Sequence, residues 1–140
     1  MVYVEGDAFH PPANVATMSA GQPLDDTDRA DWLRALQAEI RKARADGVGL
    51  VVSCSALKRS YRDLLRAGDP DLRFAHLHGS RDLIAARLAA RKDHYMPPSL
   101  LDSQLATLEL LQADEAGATL DVRDSPAQLV AQILGRERIR

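Results

Sequence analysis

The sequence has a single cysteine, Cys54, among 140 residues. No internal disulfide can form, and the chain suits a reducing compartment. Aromatic residues are also scarce, at three Tyr, two Phe and one Trp. That leaves few rings on which to stack bases. Charges of both signs are interspersed without a basic block, so no nucleic-acid partner is expected. Long apolar runs are missing too. The longest, Val48 to Val52, falls far short of the roughly 20 residues needed to cross a bilayer. No basic stretch leads into an apolar one near Met1, so no secretory signal is expected. These absences predict a cytoplasmic protein without a membrane partner. The composition is 46% hydrophobic and 27% charged, with a net charge of -2. That balance is typical of a globular chain, read as one domain over 1–140.

Strand and helix signals alternate along the chain. Val2-Tyr3-Val4 is a short β-prone run that ends at Glu5-Gly6-Asp7. A short helix is predicted near Ala13 to Ser19, broken by Gly21 to Pro23. Asp25, Asp26 and Asp28 are good helix-start residues. Trp32, Leu33, Leu36, Ile40 and Ala43 follow at helical spacing, up to a stop near Asp46-Gly47. Val48 to Val52 reads as a buried strand and Leu57 to Ala67 as a helix. Arg73 to His78 is a third strand candidate, followed by a helix from Arg81 to Lys92. The stretch 93–116 reads as an excursion carrying a helix from Pro98 to Leu111. Ala118 to Val122 is a fourth strand, and Pro126 to Leu134 is the last helix. This alternation predicts an α/β fold, a mostly parallel sheet flanked by helices. Ligands in such sheets sit beyond the carboxyl ends of the strands. The segments 5–10, 53–62, 79–81 and 122–125 fall there.

Several of these segments carry groups suited to chemistry. Glu5 and Asp7, separated by a glycine, can serve a metal-bound water and a substrate hydroxyl. They also read as an acidic strand end entering a turn. Gly6 allows close approach to the backbone. His10 adds a polar group to the same loop, where solvated histidines are common. Lys58 and Arg62 share a helix face at i and i+4, a repulsion that a bound anion would relieve. A solvated basic face with Asp63 as partner fits the same pattern. Cys54 has no histidine near it in sequence and reads as a small core residue. His76 and His78 point the same way on one strand. Without a third ligand they read as a partly buried pair rather than a metal site. Arg81, Arg87, Arg91 and Lys92 suit phosphate oxygens, or an ordinary solvated helix.

Taken together, the segments Glu5 to Pro11, Pro23 to Leu33, Cys54 to Asp63, Arg91 to Pro97, Leu100 to Gln104 and Thr107 to Glu109 resemble the gluconokinase family. Their order and spacing match from Val4 to about Glu115. The resemblance implies a P-loop NTPase fold like that of nucleoside-monophosphate kinases. It further implies ATP-dependent phosphorylation of D-gluconate with Mg2+. Asp7 would act as base on the sugar-acid hydroxyl, and Arg91 would contact the transferring phosphate. Glu5 would touch the Mg2+ shell. His10, Arg29, Lys58, Arg62, His94 and Gln104 would line the gluconate pocket. Asp121, Arg123 and Pro126 would lie by the adenine of ATP, and 92–116 would form a helical lid that excludes water. Members of the family are often homodimers.

One departure stands out. The family's loop G-x-x-x-x-G-K-S/T is absent, and no Gly-Lys pair occurs in the sequence. We therefore expect an N-terminally truncated form, lacking the first strand, the loop and the first helix. By the size of a strand-helix-strand unit that is on the order of 30 residues. The strands that remain should then form two pairs whose facing edges have no partner. Two other readings stay open: a non-catalytic sugar-acid-binding protein, and a related kinase acting on another acceptor alcohol.

Overall fold

The computed structural model describes residues 1–90 and 98–138. Its four strands are β1 (Val2–Glu5), β2 (Leu50–Ser53), β3 (Phe74–His78) and β4 (Gly117–Asp121). They form two separate parallel pairs, β1 with β2 and β3 with β4. Val4 stands opposite Val52 in the first pair, and Leu77 opposite Leu120 in the second. The helices are α1 (Pro12–Ser19), α2 (Asp26–Asp46), α3 (Arg59–Arg66), α4 (Arg81–Ala89), α5 (Pro98–Thr107) and α6 (Pro126–Arg138). A 3-10 turn over Gly6–Phe9 follows β1. No helix among the described residues is long and apolar enough to cross a membrane.

The longest helix, α2, is defined at both ends by its own sequence. Asp25 accepts from the Asp28 backbone N–H at 2.7 Å, and the Asp28 side chain accepts from the Asp25 backbone at 3.1 Å. This reciprocal cap satisfies amides that the first turn leaves free. Gly47 closes the helix in the left-handed conformation, at φ 65°, where a side chain would be strained. The apolar stripe Trp32, Leu33, Leu36 and Ile40 packs with Tyr61 and Leu65 of α3 to form the core. Val4, Leu50, Val52 and Phe74 press on it from the strands.

Several element ends differ from expectation, each for a hydrogen-bonding reason. Val48 is not in a strand, because its N–H bonds the Ala43 carbonyl at 2.9 Å and so belongs to the helix cap. Leu57 lies outside α3, its carbonyl accepting from Glu109 at 2.7 Å. α5 stops at Thr107 rather than Leu111 because the chain beyond it is drawn onto α3. There the Arg62 Nη1 donates to the Glu109 carbonyl at 2.9 Å, and Nη2 donates to that of Leu110 at 3.3 Å. The end of the expected lid, 109–115, is thus fastened to the body of the molecule. Residues 92–97 of that lid lie outside the described residues.

Gly6 is needed for a reason other than ligand approach. A Cβ there would stand 2.2 Å from the Ser53 carbonyl oxygen. The turn after β1 and the end of β2 therefore meet at a point that tolerates no side chain. This contact brings the acidic turn after β1 up against Ser53 and Cys54.

Candidate active site

An open cleft of about 710 Å³ lies where Glu5, Asp7, His10, Arg29, Ser53 and Gln104 meet. Val15, Met18, Leu77, Ile84, Leu88 and Leu101 supply apolar wall. Glu5 is held at the end of β1 by two hydroxyls. Tyr3 donates to its Oε2 at 3.0 Å and Ser53 to its Oε1 at 3.0 Å. Asp7 is exposed on the turn, with its Oδ1 4.0 Å from His10 Nε2. The His10 ring stacks on Trp32 with centroids 4.3 Å apart and planes 15° apart. Trp32 is itself pinned by its Nε1–H, which donates to the Gly6 carbonyl at 2.7 Å. Burial lowers the pKa of His10, opposed by Asp7 and reinforced by Arg29. Burial thus disfavours the charged form of the ring.

Arg29 is only 7% exposed. Its Nη1 donates to the Tyr61 hydroxyl at 2.9 Å, and its guanidinium carbon lies 5.4 Å from that ring's centre. The Tyr61 hydroxyl donates in turn to Asp26 Oδ1, and Asp26 also accepts from the Lys58 ammonium at 3.1 Å. These bonds from Tyr61 and Lys58 hold the Asp26 carboxyl below its usual range. The Tyr61–Asp26–Lys58 group lines a second, shallower recess of about 420 Å³, which Arg29 also borders. Arg29 is the only lysine or arginine among the described residues lining the larger cleft.

The expected site residues thus separate into groups. Glu5, Asp7, His10, Arg29 and Gln104 converge on one cleft. Lys58 borders the second recess instead, tied to Asp26. Arg62 is a correction: it is 3% exposed and makes no approach to the larger cleft. Its guanidinium holds the Glu115 carboxylate at 2.7 and 3.0 Å and the carbonyls of Ala56, Glu109 and Leu110. Every N–H of the fork has a partner, so none remains for a substrate. Asp121 and Arg123 pair with each other at 2.6 Å after β4, and Pro126 opens α6. None of the three lines the cleft. Arg91 and His94 lie outside the described residues. Cys54 lines the cleft, but burial pushes its thiol up to about 12, with Asp7 adding to the shift. It is no nucleophile. The rings of His76 and His78 lie tilted, 5.4 Å apart.

Two groups implied by the reading can be tested against these residues. Mg2+ is bound by one or two carboxylates together with water and phosphate oxygens. Glu5 and Asp7 offer that donor set at the cleft mouth, and no set of three or more metal-ligating side chains gathers among the described residues. Among the described residues the phosphates of ATP find no comparable fit. Lys58 is paired with Asp26, Arg123 with Asp121, and the sequence holds no glycine-lysine pair.

Sequence reasoning overlooked Asn14, Tyr61 and Glu115 as polar participants. Asn14 sits on a helix with no motif around it. Glu115 falls in a stretch read as lid. Only the Tyr61-Arg62 pair inside a quoted motif could have drawn attention.

No family model matches the sequence. Individual proteins do match. The chain is 53% identical over 113 residues to a gluconokinase of Gluconobacter oxydans, an alignment covering 81% of this chain and 64% of that protein. It is 43% identical over 127 residues to the thermoresistant gluconokinase of Escherichia coli, covering 90% of this chain and 72% of that one. Among solved structures, an unliganded sugar kinase from Janibacter sp. superposes with a TM-score of 0.90 at 49% identity, over 96% of this chain and 78% of that one. A gluconokinase from Sinorhizobium meliloti gives 0.85 at 44%, over 98% and 77%. Parallel strand pairs flanked by helices, with this overlap, define an α/β small-molecule kinase fold. The chain belongs to the gluconokinase family. It spans just under two thirds of the Gluconobacter relative and a little more of the others.

Proposed function

We propose that the protein phosphorylates D-gluconate at the expense of ATP, giving 6-phosphogluconate and ADP with Mg2+. The observation that carries this reading is the meeting of Asp7, His10, Arg29 and Gln104 in one cleft. In it a carboxylate able to take a hydroxyl proton faces the same space as a buried guanidinium able to hold a carboxylate. Phosphoryl transfer depends mainly on positioning and charge stabilisation. Arg29 binds the sugar-acid carboxylate, and its planar fork, braced by Tyr61, fixes the orientation as well as the charge. Gln104 reaches a hydroxyl of the sugar chain. Asp7 would take the proton of the attacking hydroxyl as that oxygen bonds the γ-phosphorus of ATP and the bond from that phosphorus to the ADP oxygen breaks. Glu5 would hold Mg2+, which when bound would supply charge neutralisation at the phosphates.

The test is ATP-dependent gluconate phosphorylation by the protein read from the full open reading frame, with wild type against Asp7→Ala. Turnover should fall by about 10²–10⁴-fold, with little change in stability because the Asp7 side chain is exposed. A loss of folded protein that matches the loss of rate would overturn the role of Asp7. Calorimetric binding of gluconate without any phosphorylation would instead favour a sugar-acid-binding protein. Turnover of a different acceptor alcohol in preference to gluconate would shift the substrate.

A further inference from the structure

Asn14 is 5% exposed on α1, and no motif calls for it. Its side-chain nitrogen lies 2.8 Å from the Asp28 carbonyl oxygen. A carbonyl can only accept, so the amide must turn its NH2 toward it. The same nitrogen lies 3.3 Å from His10 Nδ1. Its two hydrogens thus serve the two acceptors, and an amide nitrogen has nothing else to offer. Nδ1 must accept, which leaves the ring proton of a neutral imidazole on Nε2.

The ring cannot easily turn away from this arrangement. Trp32 stacks flat against it and is anchored in turn on the Gly6 carbonyl. Nε2 therefore faces the acidic turn, 4.0 Å from Asp7 Oδ1. That separation is too long for a direct hydrogen bond. It is the span that one bridging oxygen fills, accepting from Nε2–H on one side and donating to the carboxylate on the other.

We propose that Asn14 is a positioning residue that fixes His10 as its Nε2–H tautomer, so that His10 and Asp7 hold one substrate hydroxyl between them. This rests on the gluconate reading of the cleft. It also deepens it by giving the sugar acid a direction: the reacting hydroxyl lies at the His10–Asp7 end and the carboxylate at Arg29. A neutral ring donates to an alcohol oxygen without competing for the carboxylate.

The experiment is nitrogen-15 NMR of the histidine rings in the full 140-residue chain, with the His10 signals assigned by their loss in His10→Gln. Wild type should carry its proton on Nε2 at neutral pH. In Asn14→Asp the new carboxylate accepts a hydrogen bond instead of donating one, and the proton should move to Nδ1 or occupy both nitrogens. Asn14→Ala should yield a mixture of tautomers. A wild-type proton on Nδ1 overturns the proposal without any variant having to fold. So does an Nε2–H signal unchanged in both Asn14 variants. A merely structural Asn14 would alter stability and leave the tautomer alone. Should the tautomer behave as stated while gluconate is neither bound nor phosphorylated, the substrate reading fails and the assignment of Asn14 as the residue that selects the tautomer survives.

Discussion

The β1–β2 pair turns Val4 and Val52 onto α2 and α3, where Trp32 and Leu36 are 1% and 0% exposed. The β3–β4 pair is covered far less. α4 buries no residue at all, and Leu77 on β3 is 49% exposed although its register partner Leu120 is buried. Even the better half has an open face, since Tyr3 and Val51, paired in register, are both exposed. Parallel sheets are ordinarily buried on both faces. The contrast shows where this chain's stability resides: in one helix pair packed on one face of one strand pair. The cleft opens between that packed region and apolar side chains such as Leu77 and Leu88.

The strongest way to break this comparison is to strike its packed side. Trp32→Ala should cost about 3–5 kcal/mol in urea unfolding, because it removes a buried ring, the bond to Gly6 and the face on which His10 rests. A cost similar to that of an exposed residue would mean the core is not where the structure puts it.

Glu115→Ala comes next. It leaves the Arg62 guanidinium buried without its carboxylate, at a cost of about 3–5 kcal/mol. The same pair predicts a pH dependence. Hydrogen bonds from Arg62 chiefly, with help from the Gln112 backbone and Arg66, hold the Glu115 carboxyl down to about 2 from 4.5. A lowered folded-state pKa adds stability that is complete above 4.5 and is lost as pH falls toward about 2. Urea titrations at several pH values should show that slope in wild type and a flatter one in the variant. Equal slopes would remove the pair from the stability account.

A smaller effect is expected at Gly6→Ala, where the added methyl meets the Ser53 carbonyl. Overpacking of this kind costs about 1–3 kcal/mol, and it should also disturb the cleft, since Ser53 holds Glu5. Thermal melting checks the first effect and calorimetry with gluconate the second. The least effect is expected at Leu77→Ala, within about 0.5 kcal/mol for so exposed a side chain. A larger loss would mean that the open face of β3 is covered in solution.

Much of the fold was legible because local rules govern it. Asp25, Asp28 and Gly47 mark the ends of α2 through capping chemistry that involves only neighbouring residues. Its 3.6-residue apolar stripe is the core face. The separation of the strands into two pairs was also expected. The site was legible in part. Glu5, Asp7 and His10 lie on one short turn, so proximity in sequence made them proximate in space. Arg62 misled because a basic residue one helical turn from Lys58 looks the same whether it faces a substrate or a buried glutamate far along the chain.

The sequence alone determined the α/β alternation, the limits of α2 and the family, since each rests on local capping chemistry, spacing along the chain or motif identity. Only the tertiary structure decided which cations serve the cleft. Arg29 and Lys58 are both basic residues in matching motifs, yet one borders the larger cleft and the other is held at a separate recess by Asp26. A charged side chain's role depends on the partner that folding brings to it from a distant segment, and no local pattern encodes that partner.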